Sequence, residues 1–237
     1  MQTLPLGRKG PRTSRLGYGC MRMVGDGSRD AAAAGITACR TAHELGYTLF
    51  DHADIYGGGA CESLFGDMLR ESPGLRDDIL VTSKCGIRLQ DQPTAGSPQR
   101  YDFSRDYIIA SCEGSLSRLG TGHLDLLRLH RPDFLCNPTE VAEAFDALHR
   151  SGKVRYFGVS NFSPSQVLAL QSACSHPLVV NQVEVNIGNI STLTDGTLDQ
   201  CIALGMTPEA WCPVAGVAYP SRESRFDEAA RQRVGSE

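Results

Sequence analysis

The stretch Phe50-Asp51-His52-Ala53-Asp54-Ile55-Tyr56-Gly57 (FDHADIYG) decides the fold. It follows the short apolar run Tyr47 to Phe50, which reads as a buried strand. It leads through Gly57, Gly58 and Gly59 into a helix pattern in which Leu64, Phe65, Met68 and Leu69 recur at helical spacing. Three further strand-like runs also end in polar residues: ILVTSK at Lys84, LDLLRLH at His130 and LVVNQ at Gln182. Asp51, Tyr56, Lys84 and His130 thus stand at the exits of consecutive strands. That is the arrangement of a parallel α/β barrel, whose active sites lie at the C-terminal face.

Working outward, Met1 to Ser14 holds Gly-Arg-Lys-Gly-Pro between two short runs and reads as a hairpin. Arg15 to Met21 reads as the first strand. Ser28 can cap a helix that runs to about Leu45 and ends at Gly46. Gly86 to Phe103 is polar, contains Pro and Gly, and is long enough to be a loop over the barrel mouth. Ser104 is expected to cap a helix with Ile108, Ile109, Cys112, Leu116 and Leu119 on one face. Asn137-Pro138-Thr139-Glu140 and Ser163-Pro164-Ser165-Gln166 are two more helix starts, each with a cap and a proline at the first helical position. Strands are expected near Leu16, Leu49, Leu80, Leu126, Arg155, Val179 and Thr207, with a helix near Gly196 to Leu204 before the last. Strand and helix alternate throughout with no linker, so residues 1–237 read as a single domain around a parallel sheet. A doubly wound sheet is the alternative, but no G-x-G-x-x-G fingerprint opens a helix.

At 237 residues the chain can bury a full barrel core. The hydrophobic share of 41% is ordinary, and no apolar run approaches the ~18 residues of a membrane span. The first residues lack the apolar region of a secretory signal, so the cytoplasm is the expected compartment. A net charge of -4 without a concentrated basic run argues against a nucleic-acid partner. The nine cysteines are scattered and contain no C-x-x-C pair, so they read as small buried residues rather than a zinc site or disulfide framework. Cys85 and Cys212 lie beside proposed site residues; a structural role is favoured over an oxidation-sensitive one.

Several separate words, in order, resemble the aldo-keto reductase superfamily. FDHADIYG is similar to its FDTAxxYG, TSKCG to its TKxG and LHRPD to its IHRPD, and GVSNFS with NQVEVN to the cofactor segments that follow. The resemblance runs from about Leu16 to Gly216. It implies a TIM-type (β/α)8 barrel with the starting hairpin across its bottom. The implied function is NAD(P)H-dependent reduction of small aldehydes or ketones, with NADP(H) the expected cofactor and NAD(H) the alternative. Tyr56, Asp51, Lys84 and His130 match the family's catalytic residues. A phenol with a pKa near ~10 is protonated at neutral pH and can donate to a developing alkoxide, and Lys84 would ease the phenolate left behind. Asp51 would hold Lys84, and His130 would orient the substrate oxygen. Singly, each residue has a plain reading: an ion pair, a surface tyrosine, a core histidine. His52 and Asp54 read as structural.

By the same resemblance, Ser160, Asn161 and Gln182 match residues that bond the nicotinamide carboxamide. Trp211 matches the aromatic that stacks on the ring, and Cys212, Pro213 and Val214 would lie along the pyrophosphate. The family's eighth strand and phosphate-gripping segment have no match after Gly216, where Phe226, Ala229, Ala230 and Val234 read as one amphipathic helix. The expectation is therefore an incomplete barrel of about seven strands with weakened cofactor binding. The competing functional reading is a non-catalytic barrel fragment that binds a nucleotide or a partner.

Overall fold

The computed structural model describes residues 1–214. The chain opens with an antiparallel hairpin, β1 (Thr3–Pro5) and β2 (Arg12–Ser14). Alternation follows with β3 (Gly17–Gly19), α1 (Arg29–Glu44), β4 (Leu49–Asp51), α2 (Ala60–Arg70), the single turn α3 (Leu75–Asp78) and β5 (Leu80–Cys85). A small hairpin of β6 (Ile87–Arg88) and β7 (Arg100–Tyr101) precedes α4 (Arg105–Leu119). The rest is β8 (Leu124–Leu129), α5 (Pro138–Arg150), β9 (Val154–Ser160), α6 (Pro164–Ala173), β10 (Leu178–Glu184), α7 (Thr197–Leu204) and β11 (Thr207–Trp211).

Seven strands form one parallel sheet in the order β3-β4-β5-β8-β9-β10-β11. β4 and β11 would lie about 24 Å apart if this sheet were flat, at ~4.8 Å per strand. Yet a single side chain, Arg128, bonds both Asp51 at the end of β4 and Glu209 on β11. The sheet is therefore curled into an incomplete (β/α)8 barrel, with β3 and β11 as its unpaired edges among the described residues. No helix among the described residues is long and apolar enough to cross a membrane.

Strand periodicity divides the core in two. Outward residues such as Phe50, Leu127 and Phe157 pack under the helices, where Phe145 of α5 stacks on Phe157 at 4.1 Å. Inward residues at the lower ends, Leu49, Leu126 and Val180, close on Leu6 from the starting hairpin. The hairpin turn is tied to that end by Gly7 N–H to Thr207 Oγ1 at 2.7 Å and Arg8 N–H to the Gly205 carbonyl at 2.8 Å.

The helix starts obey local capping chemistry. Ser28 accepts from Ala31 N–H, Asn137 accepts from Thr139 N–H, and Ser163 with Gln166 forms a reciprocal capping box. Ser104 does not cap: its hydroxyl donates to Asp102 Oδ1 at 2.7 Å, so the neighbouring acid captures it. Two further expectations are corrected. The first strand is only Gly17–Gly19, because the chain turns into a 3-10 helix at Cys20. The mouth loop is pinned by the β6–β7 hairpin, with Arg88 bonded to Asp102 at 2.6 Å. Cys20, Cys39, Cys61, Cys85, Cys112 and Cys201 are buried, and all nine cysteines are free thiols. The helix expected at Phe226 to Val234 lies outside the described residues.

Candidate active site

Asp51 is the last residue of β4 and pairs in register with Thr82 of β5, so Lys84 emerges one step further up on the same face. Its Nζ reaches Asp51 Oδ2 at 2.6 Å, the His52 carbonyl at 3.0 Å and the Tyr56 hydroxyl at 3.1 Å. An ammonium has three N–H donors, and these three acceptors use all of them. The Tyr56 oxygen therefore accepts from Lys84, and its own O–H has no acceptor among the described residues. Gly57, Gly58 and Gly59 all take positive φ, which lets the chain reverse from Tyr56 straight into α2. His130 follows β8, anchored by its N–H to the Cys85 carbonyl, and its ring stands edge-on to Tyr56 with centroids 5.8 Å apart.

The electrostatics follow from burial. Burial raises the Tyr56 hydroxyl above its ordinary value, opposed by the Lys84 cation, so the phenol is protonated at neutral pH. Burial alone would raise the Asp51 carboxyl, but Lys84 and Arg128 together hold it well below the usual carboxylate range. Lys84 is lowered by burial and raised further by Asp51 and Tyr56, and the net direction is up. His130 is pushed down to about 3, by burial first and then by Lys84, and is therefore neutral. Its Nδ1 is buried without a partner among the described residues.

The residues expected at the nicotinamide end also converge. Ser160 Oγ donates to the Gln182 carbonyl at 2.8 Å, and Asn161 Nδ2 donates to Ser160 Oγ at 2.9 Å and to the His130 carbonyl at 3.3 Å. The Trp211 indole N–H donates to Asn161 Oδ1 at 2.9 Å, and the Arg131 guanidinium lies 5.7 Å from its ring centroid. Asn161 sits at φ 61°, a region its side chain tolerates better than most. Gln182 Nε2 donates to Asp51 Oδ2 at 3.3 Å and to Glu209 Oε2 at 3.1 Å. Both acceptors are carboxylates, so the amide N–H2 must face Asp51 and Glu209 and the carbonyl oxygen must point away from them. Cys212, Pro213 and Val214 follow β11; Cys212 is half-buried, and Pro213 and Val214 are exposed.

His52 is fully buried, edge-on to Phe65 at 4.6 Å, and held neutral by burial, with its value down at about 3. Asp54 accepts from Ser111 of α4 at 2.6 Å, outside the barrel wall. Two residues at the site escaped the motif reading. Arg128 is fully buried and bonds Asp51 Oδ1 at 2.8 Å, Thr82 Oγ1 at 3.0 Å and Glu209 Oε2 at 2.6 Å. The signal for it was a lone cation inside the apolar run LDLLRL, and for Glu209 an acid two residues before Trp211.

The model of the aldo/keto reductase family matches residues 15–233, reaching past Gly216, where the recognisable words end. The chain is 46% identical over 192 residues to an uncharacterized oxidoreductase, YcsN, of Bacillus subtilis (strain 168), covering 81% of this chain and 64% of that protein. It is 40% identical over 227 residues to the 6-dehydroglucose reductase of Agrobacterium fabrum (strain C58 / ATCC 33970), covering 94% of this chain and 75% of the relative. Among solved structures, the thermostable aldo-keto reductase Tm1743, in complex with the inhibitor epalrestat, superposes with a TM-score of 0.79 at 30% identity. That superposition covers 99% of this chain and 81% of the other. On motif order, strand topology and these matches together, the chain belongs to the aldo/keto reductase family.

Proposed function

We propose that the protein reduces small aldehydes or ketones to alcohols with a reduced nicotinamide dinucleotide, NADPH being the expected form. Membership of the family implies a nicotinamide cofactor, which supplies hydride when bound. The observation that carries the proposal is the use of all three Lys84 donors on Asp51, the His52 carbonyl and Tyr56. Tyr56 keeps its proton at neutral pH and has it free to give. Lys84 stands ready against the phenolate that remains. His130, neutral and edge-on to Tyr56, carries one ring N–H that can hold the carbonyl oxygen at an angle suited to the transfer.

The donor set fits a carboxamide. Gln182 offers its carbonyl oxygen as an acceptor for an amide N–H. Asn161 offers a donor once it releases the His130 carbonyl, at 3.3 Å the longer of its two bonds. Trp211, held by Asn161, presents a ring for stacking. Cys212, Pro213 and Val214 would meet the pyrophosphate through their backbone.

NADPH oxidation, followed by absorbance with a nitrobenzaldehyde and with a 6-dehydro sugar, tests the reading. The second substrate is suggested by the 6-dehydroglucose reductase relative. Tyr56→Phe is expected to lower turnover by roughly two or more orders of magnitude with the fold intact. Parent-like turnover in Tyr56→Phe would remove Tyr56 as the acid. Absence of turnover by the parent with both substrates would favour the binding-fragment reading.

A further inference from the structure

Lys84 and Arg128 are direct register partners on the neighbouring strands β5 and β8, and both are at most 1% exposed. Two buried cations side by side repel unless anions separate them. Here the Asp51 carboxylate is split between them: Oδ2 goes to Lys84 at 2.6 Å and Oδ1 to Arg128 at 2.8 Å. Arg128 in turn sends Nη2 to Glu209 Oε2 at 2.6 Å, which makes an alternating chain Lys84–Asp51–Arg128–Glu209 of zero net charge. On β9 the register partner of Arg128 is Gly158, where a Cβ would come within 2.9 Å of the Val180 carbonyl. Glu209 also fixes Gln182, its own register partner on β10, through the 3.1 Å bond from Nε2.

We propose that Arg128 and Glu209 are positioning residues for the proton transfer. They form an ion pair, Arg128 fully buried and Glu209 half-buried, that divides the Asp51 carboxylate, so that Lys84 keeps a donor for Tyr56, and that turns the Gln182 carbonyl oxygen toward the cofactor. The inference rests on the reading of Tyr56 as proton donor. Without Arg128, Asp51 Oδ1 is left with the neutral Thr82 hydroxyl at 3.2 Å and the carboxylate charge acts more fully on Lys84, whose own charge is then drawn from the phenol, and a cation near Tyr56 is lost as well. Without the Glu209 charge, Arg128 is no longer shared and acts more fully on Asp51 and Tyr56. The two changes therefore displace the Tyr56 ionisation in opposite directions, which mere loosening of the barrel would not do.

The experiment compares Arg128→Met, the isosteric Glu209→Gln and the double variant Arg128→Leu/Glu209→Leu with the parent. One readout is the alkaline limb of turnover against pH in NADPH-dependent aldehyde reduction. The other needs no turnover: all tyrosines are replaced by 3-fluorotyrosine, whose phenols ionise at lower pH, and the fluorine resonance of residue 56 is identified by its loss in Tyr56→Phe. Arg128→Met is expected to move the ionisation up and Glu209→Gln to move it down, each on the order of half a pH unit to one unit. The double variant should return close to the parent. Displacements of the same sign, or none, overturn the inference. If Arg128→Met does not fold, an unmoved resonance in Glu209→Gln suffices to reject it and a downward move upholds it. Opposite displacements in a chain without turnover would show that the two residues set the Tyr56 ionisation while removing the reductase reading, and with it their role in proton transfer.

Discussion

The same strands build two opposite environments inside this barrel, two residues apart. Leu49 is followed on its face by Asp51, Leu80 by Thr82 and Lys84, Leu126 by Arg128, and Val180 by Gln182. The lower layer meets Leu6 and is held by burial alone, at about 1.5 to 3 kcal/mol for each large apolar side chain taken from water. The upper layer holds four charges that are tolerable only because each touches one of opposite sign. One layer can lose a methyl group and remain a barrel. The other cannot lose one charge without stripping its neighbour of a counter-charge.

Breaking the upper layer should have the larger effect. Lys84→Met removes the cation beside Tyr56 and is expected to lower turnover by roughly two or more orders of magnitude. It should also destabilise by about 3 kcal/mol, since among the described residues Asp51 keeps only Arg128 as counter-charge. Steady-state kinetics with denaturant melts would check both, and parent activity would sink the ion-pair account. Leu126→Ala breaks the lower layer instead. Its side chain is 1% exposed, so stability should fall by about 3 kcal/mol while turnover stays within about twofold. A proportional loss of turnover per folded molecule would show that the two layers are not independent.

The difference between the layers also explains what the sequence disclosed. Seven strands and their helices were legible because apolar runs, glycines and caps act locally. Asp51, Lys84 and His130 were visible as polar residues at or beside the ends of apolar runs. Arg128 and Glu209 were not, because a charge within a strand has no local meaning until the sheet curls. Their contact spans 81 positions and crosses the barrel interior. The β6–β7 hairpin was missed for a related reason: two residues on each side carry no periodicity. Ser104 failed as a cap because Asp102, two residues earlier, competed for its hydroxyl.

The smallest expected effect concerns two acids in one word, FDHADIYG. Asp51 is half-buried among cations and its carboxyl is depressed; Asp54 is half-buried on the far side of the wall and its carboxyl is raised to about 6, by burial first, with the Ser111 hydrogen bond only partly offsetting it. One Asp54 oxygen is buried with no hydrogen-bond partner among the described residues. The folded state thus binds a proton at Asp54 more tightly than the unfolded chain, whose aspartates titrate near ~3.9. Below about pH 4 the group is protonated in both states and costs nothing; the penalty grows between about pH 4 and 6 and is full above about 6. Asp54→Asn keeps an acceptor for Ser111 and carries no charge. Its stability relative to the parent should therefore rise from near zero at pH 4 to on the order of 2 kcal/mol at pH 7, read from melts at each pH. Asp51→Asn should show the reverse sign, losing stability at pH 7 and less of it as the pH falls below about 4. If both variants shift stability in the same direction at pH 7, counter-charge is not what separates the two burials.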